Sequence, residues 1–235
     1  MKVLGVDSSG MVASVALVDS GVTIAEYSVN FKKTHSETLL PMIDEIMRMT
    51  ETRPESVDAI AVAAGPGSFT GLRIGSATVK GLGLALDKPI IAVPTCHALA
   101  YNAWGTEAIV CPIMDARRGQ VYTGIYEFID GTLEVIEDQM AIGITDLLEK
   151  LTEYDRPVIF LGDGVPVFKK IIDETFEGAC MYAPAHMNRQ RAAAVATLGM
   201  QMYEEGIYES ADDHAPIYLR KSQAEREYEE REGKK

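Results

Sequence analysis

Basic residues are scarce in this 235-residue chain: 22 Lys and Arg stand against 35 Asp and Glu, a formal net charge of −13. A protein that grips nucleic acid by itself carries a basic face to neutralise phosphates. Direct RNA or DNA binding by this chain alone is therefore not expected, and a partner with a basic surface is. Cysteine is sparse too. Cys96, Cys111 and Cys180 lie far apart with no CxxC spacing, which predicts reduced, buried thiols rather than a disulfide framework. No apolar run approaches a membrane span, and the run before Asp7 is too short for a signal peptide. A cytoplasmic protein without a membrane contact is expected. His35, His97, His186 and His214 never fall at metal-ligand spacing, and His97 with Tyr101 makes only an HxxxY. No metal site is predicted, and His97 reads as a core or helix-cap residue. The chain has no GxSxG and no glycine loop carrying a Walker lysine.

What the chain does contain is an ordinary globular composition, 47% apolar and 24% charged, enough for one domain or two small ones. Residues 2–6, 12–18 and 22–31 read as three strands parted by SSG and DSG turns, a β-meander. Ser36 is placed to cap a helix carrying Leu39, Leu40, Ile43, Ile46 and Met47 on one face, with Pro41 expected to cost a hydrogen bond and bend it. A strand over 58–64, a helix over 70–86, a strand over 90–93 and a helix from 95 follow.

The second half echoes the first. A strand over 110–114 ends at Asp115, and aligning Asp115 with Asp7 sets MDARRGQVYTGI against VDSSGMVASVAL. RPVIFLGDG before a helix at 165–174 likewise echoes VDAIAVAAGPG before the helix at 70. Identity is low, so a duplication and a chance match of two βαβ-rich segments both stay open at this point. A helix over 191–205 and the apolar patch PIYL at 216–219 complete the pattern. The organisation expected is an N-terminal lobe at 1–105, a smaller C-terminal lobe at 106–220, and a charged tail at 221–235, read as a solvated helix or flexible segment.

Two lobes, each opening with a β-meander that starts at an aspartate, predict an α/β protein of the two-lobed actin-like ATPase fold, shared with sugar kinases and Hsp70. In that fold the two hairpin turns hold nucleotide phosphates through backbone N–H groups. Asp7, Ser8 and Ser9 are the candidates at the first turn, Asp115 at the second, and Gly162 and Gly164 at an adenosine-side turn. A plain β-turn uses the same residue types as the first turn. At the second, Arg117 and Arg118 stand where small residues are wanted and would crowd a phosphate cradle. The nucleotide site therefore reads as degenerate. An ATPase or kinase acting through Asp7 and Asp115 is the enzymatic alternative.

The segment GPGSFTGLRIG, residues 65–75, is the functional centre expected from the sequence. Gly65, Pro66 and Gly67 make a turn, and Ser68 or Thr70 can cap the helix that follows. Gly67, Gly71 and Gly75 recur every four residues, with Gly81 and Gly83 later. Each interior glycine costs about 0.5–1 kcal/mol relative to alanine, so a reason is needed. Packing against the protein's own sheet is one reason. Docking of a partner helix is the favoured one, because Phe69, Leu72 and Arg73 around a bare helix look like an interface hot spot.

Taken together, LGVDSSGMVASVAL, HSETLLP, GPGSFTGLRIG with its following KGL, the PT at 94–95, DARRGQVY, LGDG and PIYLR resemble the TsaB (YeaZ) family over nearly the whole chain. The resemblance implies a non-catalytic subunit that pairs with TsaD, the enzyme that places threonylcarbamoyl on an adenosine beside the tRNA anticodon. The small ATPase TsaE joins the complex, and TsaC supplies the threonylcarbamoyl adenylate. TsaD carries a metal-binding histidine pair, whereas TCHALAY here offers only His97, which also argues against a metallopeptidase. The implied TsaD interface comprises Gly67, Ser68, Phe69, Thr70, Gly71, Leu72, Arg73, Ile74, Gly75 and Thr78, and the same helix would serve a homodimer when the chain is alone. No tightly bound cofactor is implied; ATP or ADP, if it binds, belongs at the boundary with TsaD. Contact with tRNA is implied only through the complex. A self-associating protein outside the pathway is the remaining alternative.

Overall fold

The computed structural model describes residues 1–220, so the reading of the charged tail at 221–235 lies outside the described residues. The chain forms β1 (Lys2–Asp7), β2 (Ala13–Asp19), β3 (Val22–Val29), α1 (His35–Met49), β4 (Ala59–Gly65), α2 (Phe69–Leu86), β5 (Ile90–Pro94) and α3 (Thr95–Tyr101). It then repeats the order with β6 (Ile109–Asp115), β7 (Gln120–Ile129), β8 (Thr132–Gly143), α4 (Ile144–Thr152), β9 (Val158–Leu161), α5 (Val165–Thr175), β10 (Cys180–Tyr182) and α6 (Ala192–Glu204).

The two five-stranded sheets run β3-β2-β1-β4-β5 and, taken in the matching direction, β8-β7-β6-β9-β10. In each, the first strand pairs antiparallel with the second and parallel with the fourth. The duplication that the sequence left open is therefore present in the topology.

The inner strands are buried on both faces: β4 along its whole length and β6 up to Asp115. In the first lobe, Leu4, Val6, Ile60 and Val62 pack under α1 and α2, meeting Leu39, Ile43 and Val79. On the opposite face Val3, Ala59 and Ala61 meet Val195, Ala196 and Leu198 of α6. Small residues make that packing tight: a Cβ on Gly5 would lie 2.3 Å from the Ala192 carbonyl, and one on Gly199 2.6 Å from the Ala61 Cβ. In the second lobe, Phe160, Ile113 and Val121 pack with Leu147 and Phe168, and Leu99 and Cys96 of α3 cover the other face beside Val110 and Tyr126.

The lobes thus exchange their last helices: α3 covers the second sheet and α6 the first. The boundaries read from the sequence, which put 106–220 in one lobe, differ here because α6 buries its alanine face on the first sheet. One local expectation also shifts. Helix α1 begins at His35 with Thr34 as an N-cap that makes no side-chain capping bond, so Ser36 lies inside the helix, and the helix runs on through Pro41. Cys96 and Cys111 are buried and Cys180 is half-buried, all free thiols.

Candidate functional site: the cleft and helix α2

The β1–β2 turn is built by Asp7. Buried at the strand end, its Oδ1 accepts from the Ser9 N–H at 2.9 Å and the Ser9 hydroxyl at 2.7 Å. Burial pushes its carboxyl up to about 6, with the Ser9 bonds opposing. Asp115 makes the same turn in the second lobe, accepting the Arg117 N–H at 2.8 Å. The equivalence of the two aspartates is therefore geometric. The tips differ. Arg117 (φ 66°), Arg118 (φ 57°) and Gly119 (φ 73°) are three successive left-handed residues, a conformation that disfavours side chains. Arg117 is held by an ion pair to Asp115 at 3.1 Å.

The turns face each other across a cleft of about 560 Å³ whose walls include Ser9, Gly67, Asp115, Asp163 and Arg220. Burial also raises the Asp163 carboxyl, whose Oδ1 accepts the Asp115 N–H at 3.3 Å. Gly162 and Gly164 have a structural explanation. A Cβ on either would lie 2.2 or 2.8 Å from the Ile113 carbonyl, and Gly162 has φ 110°. They let β9 turn into α5 against β6. Among the described residues, both ends of the Gln190 amide, which packs on Gly10, are buried without a hydrogen bond. Gln190 carried no motif in the sequence. Among the described residues no group of three His, Cys, Asp or Glu side chains is placed to hold a metal ion. His97 sits between the lobes with Nε2 3.4 Å from the Asp138 carboxylate, and burial lowers its pKa more than that carboxylate raises it.

Helix α2 begins at Ser68, whose Oγ caps the Gly71 N–H at 3.3 Å. Its glycines answer the question raised by their spacing, and for three of them the answer is intramolecular. A Cβ would lie 2.4 Å from the Ser9 carbonyl at Gly67, 2.1 Å from the Ser8 carbonyl at Gly71, and 2.4 Å from Ser8 Oγ at Gly75. That hydroxyl donates to the Gly71 carbonyl at 2.9 Å. The four-residue repeat is thus the seat of the first hairpin turn, which corrects the preference for partner docking at these positions. Leu72 is buried as well and presents nothing outward.

The outer face of α2 carries the rest. Ser68, Phe69, Thr70 and Arg73 are exposed, Ile74 and Thr78 half-buried, and the exposed line continues through Ala77, Gly81 and Leu84. Arg73 lies over the Phe69 ring at 5.5 Å, and Tyr218 packs on the same ring at 4.8 Å. A Cβ on Gly81 would meet nothing within 4 Å. Among the described residues, no helix is long and apolar enough to cross a membrane.

Comparison with known proteins agrees with this architecture. Residues 27–228 match the family described as TsaD, tRNA N6-adenosine threonylcarbamoyltransferase. The tRNA threonylcarbamoyladenosine biosynthesis protein TsaB of Bacillus subtilis is 37% identical over 227 residues, covering 96% of each chain. The structure of YeaZ from Pseudomonas aeruginosa superposes with a TM-score of 0.77 at 26% identity, covering 93% of this chain and 99% of that one. At the level of fold alone, component A of the Acidaminococcus fermentans (R)-2-hydroxyglutaryl-CoA dehydratase superposes with a TM-score of 0.50 at 10% identity. The chain has the two-lobed actin-like ATPase fold and belongs to the TsaB branch of the threonylcarbamoyltransferase family.

Proposed function

We propose that this chain is a non-catalytic subunit in the threonylcarbamoyladenosine modification of tRNA, docking TsaD through the outer face of α2, with TsaE joining the assembly. The carrying observation is Gly81. In α2, Gly71, Gly75 and Gly83 each meet another part of the chain, whereas Gly81 faces open space. Its cost of about 1 kcal/mol relative to alanine has no return within the chain. Thr70, Arg73, Ala77 and Leu84 flank it on one exposed stripe, which suits the close approach of a partner helix. Phe69 and Arg73 are the anchors at its N-terminal end. The same face serves a homodimer when TsaD is absent.

The non-catalytic assignment is supported by the second turn, where two arginines in left-handed conformation replace a small-residue cradle. The isolated chain holds no nucleotide tightly on this reading, and ATP or ADP binds at the boundary with TsaD. Co-purification with TsaD tests the docking. Gly81→Arg and Ala77→Glu should abolish the complex and leave the circular dichroism spectrum unchanged. Folded variants that still co-purify would place the interface elsewhere.

A further inference from the structure

After α6 the chain returns over the first lobe as a strap that ends on the second. Its base is fixed. Glu209 exchanges both backbone hydrogen bonds with Ile90 at 2.9 Å, and buried His214 contacts the Glu209 carboxylate through Nδ1 at 2.6 Å. Lys80 of α2 donates to the carbonyls of Asp212 and His214 at 2.9 and 3.1 Å.

Its middle section sits in a seat made for it. The Ile217 N–H donates to the Ala64 carbonyl at 2.7 Å. The Ile217 carbonyl lies where Gly65 alone leaves room, since a Cβ there would be 2.1 Å away and φ is 127°. Next along, the Tyr218 ring packs at a tilt of 32° against Phe69 of the docking face. Two residues later, Arg220 Nη1 crosses the cleft and donates to the Ala116 carbonyl in the second lobe's hairpin turn at 2.8 Å. One short segment therefore touches the N-terminal end of α2, the end of β4 and the opposite lobe.

The geometry points to a latch: the strap over 207–220 couples closure of the cleft to the docking face on α2. A partner that moves or fixes Phe69 acts on Tyr218, and Tyr218 sets where Arg220 grips the Ala116 turn. Coupling is reciprocal, so a strap released from Ala116 must also change the affinity of the docking face. This deepens the docking reading and rests on it for the partner, while the cross-lobe tie stands on the chain alone.

Hydrogen exchange on the full chain tests the tie. Arg220→Met keeps the aliphatic stem and removes the donor, and Ile217→Pro removes the bond to Ala64 at the other anchor. In both variants the amides of Ala116, Gln120 and Arg117 in the second-lobe turn should exchange roughly tenfold faster, as expected for loss of a hydrogen bond near 1.4 kcal/mol. Wild-type exchange in that turn would overturn the latch. TsaD binding tests the coupling: Arg220→Met should weaken it roughly tenfold, and unchanged affinity would overturn it. If the wild-type chain itself fails to bind TsaD, the docking reading falls, while the exchange arm still decides the cross-lobe tie.

Discussion

Substituting Gly71 by alanine separates the two jobs that a glycine on α2 could have. The new Cβ would be placed 2.1 Å from the Ser8 carbonyl oxygen and 3.3 Å from the Ser68 Cβ. The obstacle is backbone at the end of β1, in a turn also pinned by Asp7 and by the Ser68 N–H donating to the Ser9 carbonyl at 2.7 Å. Relief requires α2 and the turn to move apart, an overpacking cost of about 1–3 kcal/mol. Separation also weakens the buried bond from Ser8 Oγ to the Gly71 carbonyl, about 0.5–1.5 kcal/mol. Against these stands a helix-propensity gain of at most about 1 kcal/mol. The net is a destabilisation of about 2 kcal/mol, or roughly 4–8 °C in melting temperature for a protein of this size. Gly81→Ala makes no such contact and should raise the melting temperature by the propensity term alone, about 0.5–1 kcal/mol. Differential scanning calorimetry of both variants reads this contrast. A Gly71→Ala protein that melts with the wild type yet loses TsaD would refute the reasoning, because the glycine would then be serving a partner.

Asp7 gives a pH prediction. Its folded pKa of about 6 lies above the ordinary aspartate value of 3.8, so the folded chain holds this proton more tightly than the unfolded one. The group costs nothing below pH ~4, costs progressively more as pH rises from ~4 to ~6, and costs about 3 kcal/mol above that. Asp7→Asn, keeping Oδ1 as acceptor for Ser9, should therefore stabilise the protein at pH 7.5 and leave pH 3.5 unaffected; equal denaturant midpoints at both pH values would contradict the burial argument. Calorimetric titration of the isolated chain with ATP and magnesium should give no heat, and tight binding would restore the kinase or ATPase reading. Gly162→Ala should destabilise the second lobe, because its Cβ would lie 2.2 Å from the Ile113 carbonyl at φ 110°; an unchanged melt would show that β9 tolerates the side chain.

Much of this architecture was legible in the sequence because it rests on local rules. The two β-meanders starting at Asp7 and Asp115, the Ser68 cap and the extent of α2 follow from turn chemistry and periodicity. What escaped has physical reasons. Strand β8 is half-exposed along its length, and its Glu-Asp-Gln run masks the alternation. Helices α3 and α6 are rich in small residues, which report close packing without naming the sheet they pack on, so the exchange of helices between lobes stayed hidden. The glycine repeat was visible, but its direction was not. On a helix of 3.6 residues per turn, Gly81 lies about 120° around from Gly75, and only the structure assigns one face to the Ser8 turn and the other to solvent. The unpartnered Gln190 amide beside Gly10 had no motif to announce it.

The central claim is that the outer face of α2 makes this chain an obligate partner of TsaD in tRNA modification. The most direct measurement is threonylcarbamoyladenosine formation on tRNA by TsaC, TsaD and TsaE, with the wild-type chain or Gly81→Arg added. The account predicts robust modification with the wild type and none above the level without the chain for Gly81→Arg, which should melt no lower than the wild type. Full modification by folded Gly81→Arg, or full modification with the chain left out, would contradict it.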